Sequence, residues 1–330
     1  MGEGLLDVVT IGNAIVDVIS HAEPEFLIRY ELPAGSMTLI DALQAESLYD
    51  AMGPGVEVSG GSAANTAAGI ASLGGSAAYV GKVRDDELGR IFTHDLRAAG
   101  VEFTVAAADD GPSTARCLVL VTPDAQRTMA TYLGACVELS PDDVMPETIA
   151  RAQVTYLEGY LWDPPLAKEA FRKAIKIAHD AGRKTALTLS DSFCVDRYRE
   201  EFLELLEGHI DILFANEDEI KSLYQVEQFD DALQKVRHHC EVTALTRSEL
   251  GSVVIRGDEV HVIDTVTLSP LVDTTGAGDL YAAGFLHGFT RGDELARCGQ
   301  LGSLAAAEII GHFGARPEAS LHSLAETHLR

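Results

Sequence analysis

Basic residues are scarce in this 330-residue chain: 25 lysines and arginines stand against 51 aspartates and glutamates, for a formal net charge of −26. Nucleic acid and anionic membrane both reward basic patches, so neither is expected as a partner. No apolar run reaches the roughly 18 residues of a membrane-spanning helix, and no basic start leads into a secretory apolar core, so a cytoplasmic location is expected by default. Cysteine is also sparse. Cys117, Cys136, Cys194, Cys240 and Cys298 are odd in number, widely spaced and without a CxxC pair, which argues against a disulfide framework or a zinc knuckle. His238, His239 and Cys240 lie together but lack the second cluster that a metal site needs, and a helix end is expected there.

What is present is enough apolar residue, 46% of the chain, to bury a large core. LLDVVTIG at 5–12 is a short β-branched run, and similar runs recur at 77–83, 153–158, 184–189, 211–215 and 241–246. Helical patterns lie between them, such as LAKEAFRKAIKIAHDAG at 166–182, with apolar residues three and four apart and a glycine stop. This alternation predicts an α/β sandwich, a mainly parallel sheet with helices on both faces and ligands at the carboxyl ends of the strands. Two regions, about 13–40 and 101–133, instead string together strand-like pieces: AIVDVIS, TARCLVLV and RTMATYL. They are expected to form a small extra sheet, a lid over the strand ends that excludes water. No linker divides the chain, so a single domain over 1–330 is expected.

Two common phosphate motifs fail. GGSAAYVGKV at 74–83 has Val83 after its lysine and the wrong spacing for a Walker A loop, and GAGDLY at 276–281 ends in tyrosine where a dinucleotide fingerprint needs glycine. DTTGAGDLYAAGFLHG, 273–288, nevertheless has the chemistry of an anion site. Its glycines let the backbone turn N–H groups toward one point, and the apolar helix that follows adds unpaired donors and the positive end of its dipole. Asp279 in that place reads either as a helix cap or as a general base beside a group being attacked. A second cluster, GGSAANTAAGIASLGG at 60–75, opens a small-residue helix whose Ala67, Ala68 and Ala71 suit tight packing. Gly60, Gly61 and Asn65 suit a polar ligand, because backbone can approach closely and the amide offers donor and acceptor.

GGSAANTA with the following LGG and GKVRDDELG, then DTTGAGD entering a helix, resemble the two signatures of the ribokinase-like (PfkB) carbohydrate and nucleoside kinases, over nearly the whole chain. The resemblance implies an αβα sandwich with a β lid, and transfer of the γ-phosphoryl of ATP to a primary hydroxyl with Mg2+ as cofactor; a monovalent cation such as K+ stands as a further candidate. It implies that Asp279 deprotonates the hydroxyl, that the amides of Gly276, Ala277 and Gly278 form the anion hole, and that Asp273 ties down the loop. Asp17 in GNAIVDVIS would accept bonds from ribose hydroxyls, with Gly61 and Asn65 across the sugar. NEDEI matches the family's NxxE through Asn216 and Glu219, the pair that organises water around Mg2+; an acidic helix start is the plainer reading. TRSELGS resembles the TxGxxG nucleotide loop through Thr246 and Gly251, with Ser248 replacing the first glycine. Ser303 and Ala306 fall in the region of the ATP pocket, or are helix packing.

Within the family, GNAIVD, the arginine of QRTMATYLGA and LTLSDSF look most like adenosine kinases; ribokinases usually carry lysine where this chain has Ser62. By that likeness Arg127 reaches from the lid to the transferring phosphoryl group, and Phe193 stacks on a nucleobase bordered by Met37, Met129 and Thr131. Phe193 as an ordinary core aromatic stays open. So do a sugar kinase, an inosine or guanosine kinase, and a non-catalytic nucleoside-binding protein. The expected partners are ATP and a nucleoside or sugar, with the chain a monomer or homodimer.

Overall fold

β-Branched and small apolar residues alternate with amphipathic stretches along this chain, and the computed structural model, which describes residues 4–124 and 126–329, arranges them as two sheets. The strands are β1 (Leu6–Ile11), β2 (Ile15–His21), β3 (Met37–Leu39), β4 (Gly55–Ser59), β5 (Ala77–Val80), β6 (Glu102–Phe103), β7 (Ala115–Val121), β8 (Arg127–Tyr132), β9 (Ala152–Glu158), β10 (Lys184–Thr188), β11 (Ile212–Asn216), β12 (Val242–Thr246), β13 (Ser252–Arg256) and β14 (Glu259–Ile263). The larger sheet has nine strands in the order β14-β13-β12-β11-β10-β9-β1-β5-β6, parallel except where β13 and β14 pair antiparallel at one edge. The chain enters at β1, builds outward through β5 and β6, then returns to β1's other side with β9 and continues to β12. The winding direction therefore reverses beside β1, and a crevice opens at the carboxyl ends of β1 and β9.

Apolar side chains fill both faces of this sheet. One side packs Trp162, Phe171 and Phe202, the last two from the helices Pro165–Asp180 and Ser192–Leu206. The other packs Tyr79, Phe92, Phe103, Tyr156, Phe214 and Phe285. On that side the helices Ser62–Ser72 and Ala277–Arg291 lie against each other, with Gly69 where a Cβ would come within 2.6 Å of Ala283 Cβ. Ala67 and Ala68 are buried in the same contact region. This close approach brings together two glycine-rich motifs that are far apart in sequence.

The second sheet has five strands in the order β3-β8-β7-β2-β4. Its register aligns Asp17 with Cys117 and Cys117 with Thr131, and pairs Met37 with Met129, so these residues share one face. Val18, Leu118, Leu120 and Ala130 lie on the other face, covered by the helices Pro24–Arg29 and Ala42–Ala51 through Leu27 and Leu48. The boundaries differ from those expected. β6 belongs to the large sheet, and VEVS, preceding the GG cluster, is part of β4 in the small sheet because its edge pairs with β2. The cysteines are free, and no described helix is long and apolar enough to cross a membrane.

Candidate active site

The helix Ala277–Arg291 begins at Gly276, which takes a left-handed φ of 79° that a side chain would resist. Asp279 in its first turn is half-buried. Ser62 Oγ donates to Asp279 Oδ1 at 2.6 Å and Asn65 Nδ2 donates to Oδ2 at 2.9 Å. Burial raises the Asp279 pKa, while the two hydrogen bonds and the Arg316 charge pull it back. The carboxylate is thus oriented, with each oxygen held by one donor. Asn65, expected to face a sugar, spends its amide N–H on this acid, and its Oδ1 is buried without a partner among the described residues.

Of the three amides expected to form an anion hole, Gly276, Ala277 and Gly278, one is engaged within the protein. Ala277 N–H donates to Thr274 O at 3.2 Å, closing the turn into the helix. Among the described residues the N–H groups of Gly276, Gly278 and Asp279 have no acceptor within the protein, and a Cβ built on Gly278 would meet nothing within 4 Å. Free donors therefore surround open space at the positive end of the helix.

Arg127 of β8 reaches this loop. Its guanidinium pairs with Asp273 Oδ2 at 2.8 Å, lies 3.4 Å from Thr275 Oγ1 and sits over the Phe313 ring. Asp273 in turn accepts from Thr275 N–H and Oγ–H. The small sheet and the glycine loop are thereby joined.

Asp17, Gly60 and Gly61 stand beside the acid–amide pair. Burial pushes the Asp17 carboxyl up to about 7, against the lowering fields of Arg316 and Arg127. A Cβ on Gly60 would fall 2.6 Å from Asp17 Oδ2, and one on Gly61, at φ 88°, would fall 2.2 Å from Asn13 O. Gly61, at a left-handed φ against backbone, admits only glycine, whereas a side chain at Gly60 would have to displace the Asp17 carboxylate.

On the far side of the crevice Asn216 and Glu219 form a reciprocal helix cap: Asn216 N–H and Nδ2 donate to the carboxylate, and Glu219 N–H donates to Asn216 Oδ1 at 2.9 Å. Burial, with Asp191 and Asp218 nearby, pushes Glu219 up to about 7 against the bonds from Asn216. Thr246 ends β12. The loop after it closes by Arg247 N–H donating to Gly251 O at 2.8 Å, with Gly251 at φ 79° and Ser248 at φ 50°. Ser248 thus adopts the left-handed backbone for which glycine is the usual residue. Ser303 is buried and Ala306 half-buried in the helix Leu295–Ile309.

Of the residues proposed to read a base, Met37, Met129 and Thr131 share one face of the small sheet, whereas Phe193 comes from the helix Ser192–Leu206. Phe193 is 76% exposed in the first turn of its helix, so it is not a core aromatic. Met37 is 45% exposed, and Thr131 is buried with its hydroxyl donating to Cys117 Sγ at 3.3 Å.

Sequence reasoning missed three groups. Ser62 was read only as a missing lysine. Glu158, 1% exposed at the end of β9, accepts from Asn13 Nδ2 at 2.8 Å and Ala63 N–H at 2.9 Å, and burial pushes it up to about 7. An acid ending an otherwise apolar strand was the available signal. Arg316, after the last long helix, had no motif to mark it. Its guanidinium binds Ser59 and Ala64 carbonyls on the GG segment.

Comparison with known proteins agrees with this geometry. Residues 38–321 match the sequence pattern described as the pfkB family carbohydrate kinase. Adenosine kinase of Saccharomyces cerevisiae is 26% identical over 328 residues, covering 93% of this chain and 95% of that one. The crystal structure of adenosine kinase from Sinorhizobium meliloti is 57% identical, with a TM-score of 0.92 over 98% of this chain and 99% of that one. A probable sugar kinase from Rhizobium etli superposes equally well at 52% identity and the same coverage. With its ribokinase-like α/β fold, its oriented acid and its open helix start, the chain belongs to the pfkB family of carbohydrate kinases and is a phosphotransferase acting on an alcohol group.

Proposed function

We propose that this kinase phosphorylates the 5′-hydroxyl of a purine nucleoside, adenosine foremost. The observation that carries the chemistry is Asp279, held at both oxygens by Ser62 and Asn65 beside unpaired amides at a helix start. Asp279 takes the proton as the nucleoside oxygen bonds to the γ-phosphorus of ATP, the bond to the β,γ-bridging oxygen breaks, and ADP leaves. The amides of Gly276, Gly278 and Asp279 stabilise the charge on the transferring group. Asp17 with Gly60 and Gly61 grips the ribose, and Arg127 turns from Asp273 toward the phosphoryl group. The small sheet with β4 acts as the lid of a single domain. The choice of adenosine rests on the Sinorhizobium relative of that name and on exposed Phe193 in the helix that follows the carboxyl end of β10.

ATP and Mg2+ are the usual requirements of this family. The donor set fits a water-held ion. Glu219 is a buried carboxylate without a cationic partner, Asn216 lies beside it, and no cluster of three or more metal-ligating side chains occurs among the described residues. Mg2+ would neutralise phosphate charge; Asn216 and Glu219 would orient its waters. Thr246, Gly251, Ser303 and Ala306 would border the nucleotide.

A second reading is a sugar kinase, favoured by the Rhizobium etli relative. Specificity constants for adenosine, inosine, guanosine, ribose and fructose phosphates with Mg-ATP decide between them. Adenosine should lead; a leading sugar would overturn the nucleoside assignment and leave Asp279 in its role.

A further inference from the structure

Arg316 is a half-buried cation whose hydrogen-bonding fork forms no salt bridge among the described residues. Its Nε donates to Ser59 O at 3.1 Å, Nη2 to Ser59 Oγ at 3.2 Å and to Gly60 O at 3.5 Å, and Nη1 to Ala64 O. One planar group therefore spans the last residue of β4, the first glycine of the GG pair and the first turn of the helix that carries Ser62 and Asn65. The segment bearing it also rests on the other glycine motif, since a Cβ on Gly276 would come within 2.9 Å of Ala315 Cβ. The acceptors are all neutral, yet Asp17, Asp279, Asp95 and the Tyr79 hydroxyl face the guanidinium through space. Asp95 also accepts from Ser59 N–H at 3.3 Å, steadying the same residue from the other side. Burial brings the Arg316 pKa down to about 10, which leaves it protonated at neutral pH.

We propose that Arg316 is a positioning residue for phosphoryl transfer: it pins the Ser59–Gly60–Gly61 turn that receives the acceptor substrate, and it sets a fixed cation facing both Asp17 and Asp279. An arginine suits this task because its fork reaches several carbonyls at once while its charge persists at every working pH. The inference rests on Asp279 being the base. The other titratable groups whose fields reach that acid are Glu158 and Tyr156 of β9 and Tyr160 just after it, all neutral or negative, so Arg316 is the cation that favours its ionised form.

The sign is fixed by this arrangement. Asp279 works ionised, and a facing cation lowers its pKa; removing the cation raises it, so the acid limb of turnover moves to higher pH. Arg316→Met keeps bulk and removes both charge and fork. It should raise the KM for the acceptor about tenfold or more and move the acid limb of kcat up by about one pH unit, the size expected for one charge lost at a partly buried site. Arg316→Lys keeps charge without the fork. It should raise KM as well while leaving the acid limb near the wild-type position, and it serves as the test should Arg316→Met fail to fold. Wild-type turnover with whichever acceptor leads the substrate panel is measured first. Its absence would sink the kinase reading itself. With the wild type active, a folded variant that loses only thermal stability, with KM and acid limb unmoved, would overturn the role of Arg316; so would a lysine variant whose limb shifts as far as that of the methionine variant.

Discussion

Asn65 Nδ2 donates to Asp279 Oδ2 at 2.9 Å across 214 positions of sequence. The bond joins the two glycine-rich motifs directly, and it makes Asn65 a holder of the acid. An acid fixed this way can abstract a proton without first reorganising, which is where enzymes gain most from preorganised polar groups.

Asp279→Asn keeps shape and removes the proton acceptor. Turnover should fall by about 10²–10⁴-fold with acceptor affinity nearly unchanged, read by steady-state kinetics beside calorimetric binding. Retention of more than about a tenth of wild-type kcat, with chemistry rate-limiting, would remove Asp279 from the base role.

Ser62→Ala deletes the 2.6 Å donor to Oδ1. That bond stabilises the ionised form, so its loss raises the pKa of Asp279 and carries the acid limb of kcat upward, by less than Arg316→Met because no charge is lost. A pH–rate profile from about 5 to 9 is the check; an unmoved limb means that the contact does not tune the base.

Arg127→Ala should lower kcat more than it weakens acceptor binding, since its partners lie on the glycine loop. An equal loss of both, or a loss confined to binding, would place Arg127 with the acceptor.

Phe193→Ala should leave thermal stability near wild type because the ring is exposed. Stacking on a base is worth about 1–3 kcal/mol, so the ratio of adenosine to ribose specificity constants should fall about 5- to 150-fold with ribose little affected. A parallel fall for ribose would mean that the ring does not read the base.

Glu158 has a folded pKa of about 7 against 4.5. An acid raised on folding contributes stability that is present below its unfolded pKa and lost as pH climbs through the folded one. Chemical denaturation of the apo protein should therefore show stability declining between about pH 4.5 and 7, and Glu158→Gln should reduce that decline by up to about 3 kcal/mol in total. An unchanged decline would assign it to Asp17, Glu219 and Asp279, which are raised in the same sense.

The alternation of β-branched runs with amphipathic helices was legible because its periods of two and 3.6 are local properties, and β1, β5 and β9 to β12 of the large sheet fell where those runs occur. Asp279 and the GG turn were legible because glycine is forced where backbone must turn or a carboxylate presses close, as Gly60 does against Asp17. Pairing was not legible: nothing local tells that β4 joins the small sheet while β6 joins the large one. Arg316 and the buried Glu158 stayed hidden because their roles arise from acceptors remote in sequence. The Asn216–Glu219 cap shows the converse, a local pattern that reads the same whether or not it also orients an ion.

The fork of Arg316 also fixes when, during synthesis, this protein can become an enzyme. Ser62 and Asn65 leave the ribosome together with Asp17 and the central strand, whereas Asp279 and Arg316 follow more than 200 residues later. A nascent chain can lay down β1, β5 and β9 and still present a GG turn with no cation behind it and no acid in front. Premature termination before residue 316 should therefore leave a chain with most of its sheet and an unbraced acceptor site, and non-local closure of this kind slows the last step of folding.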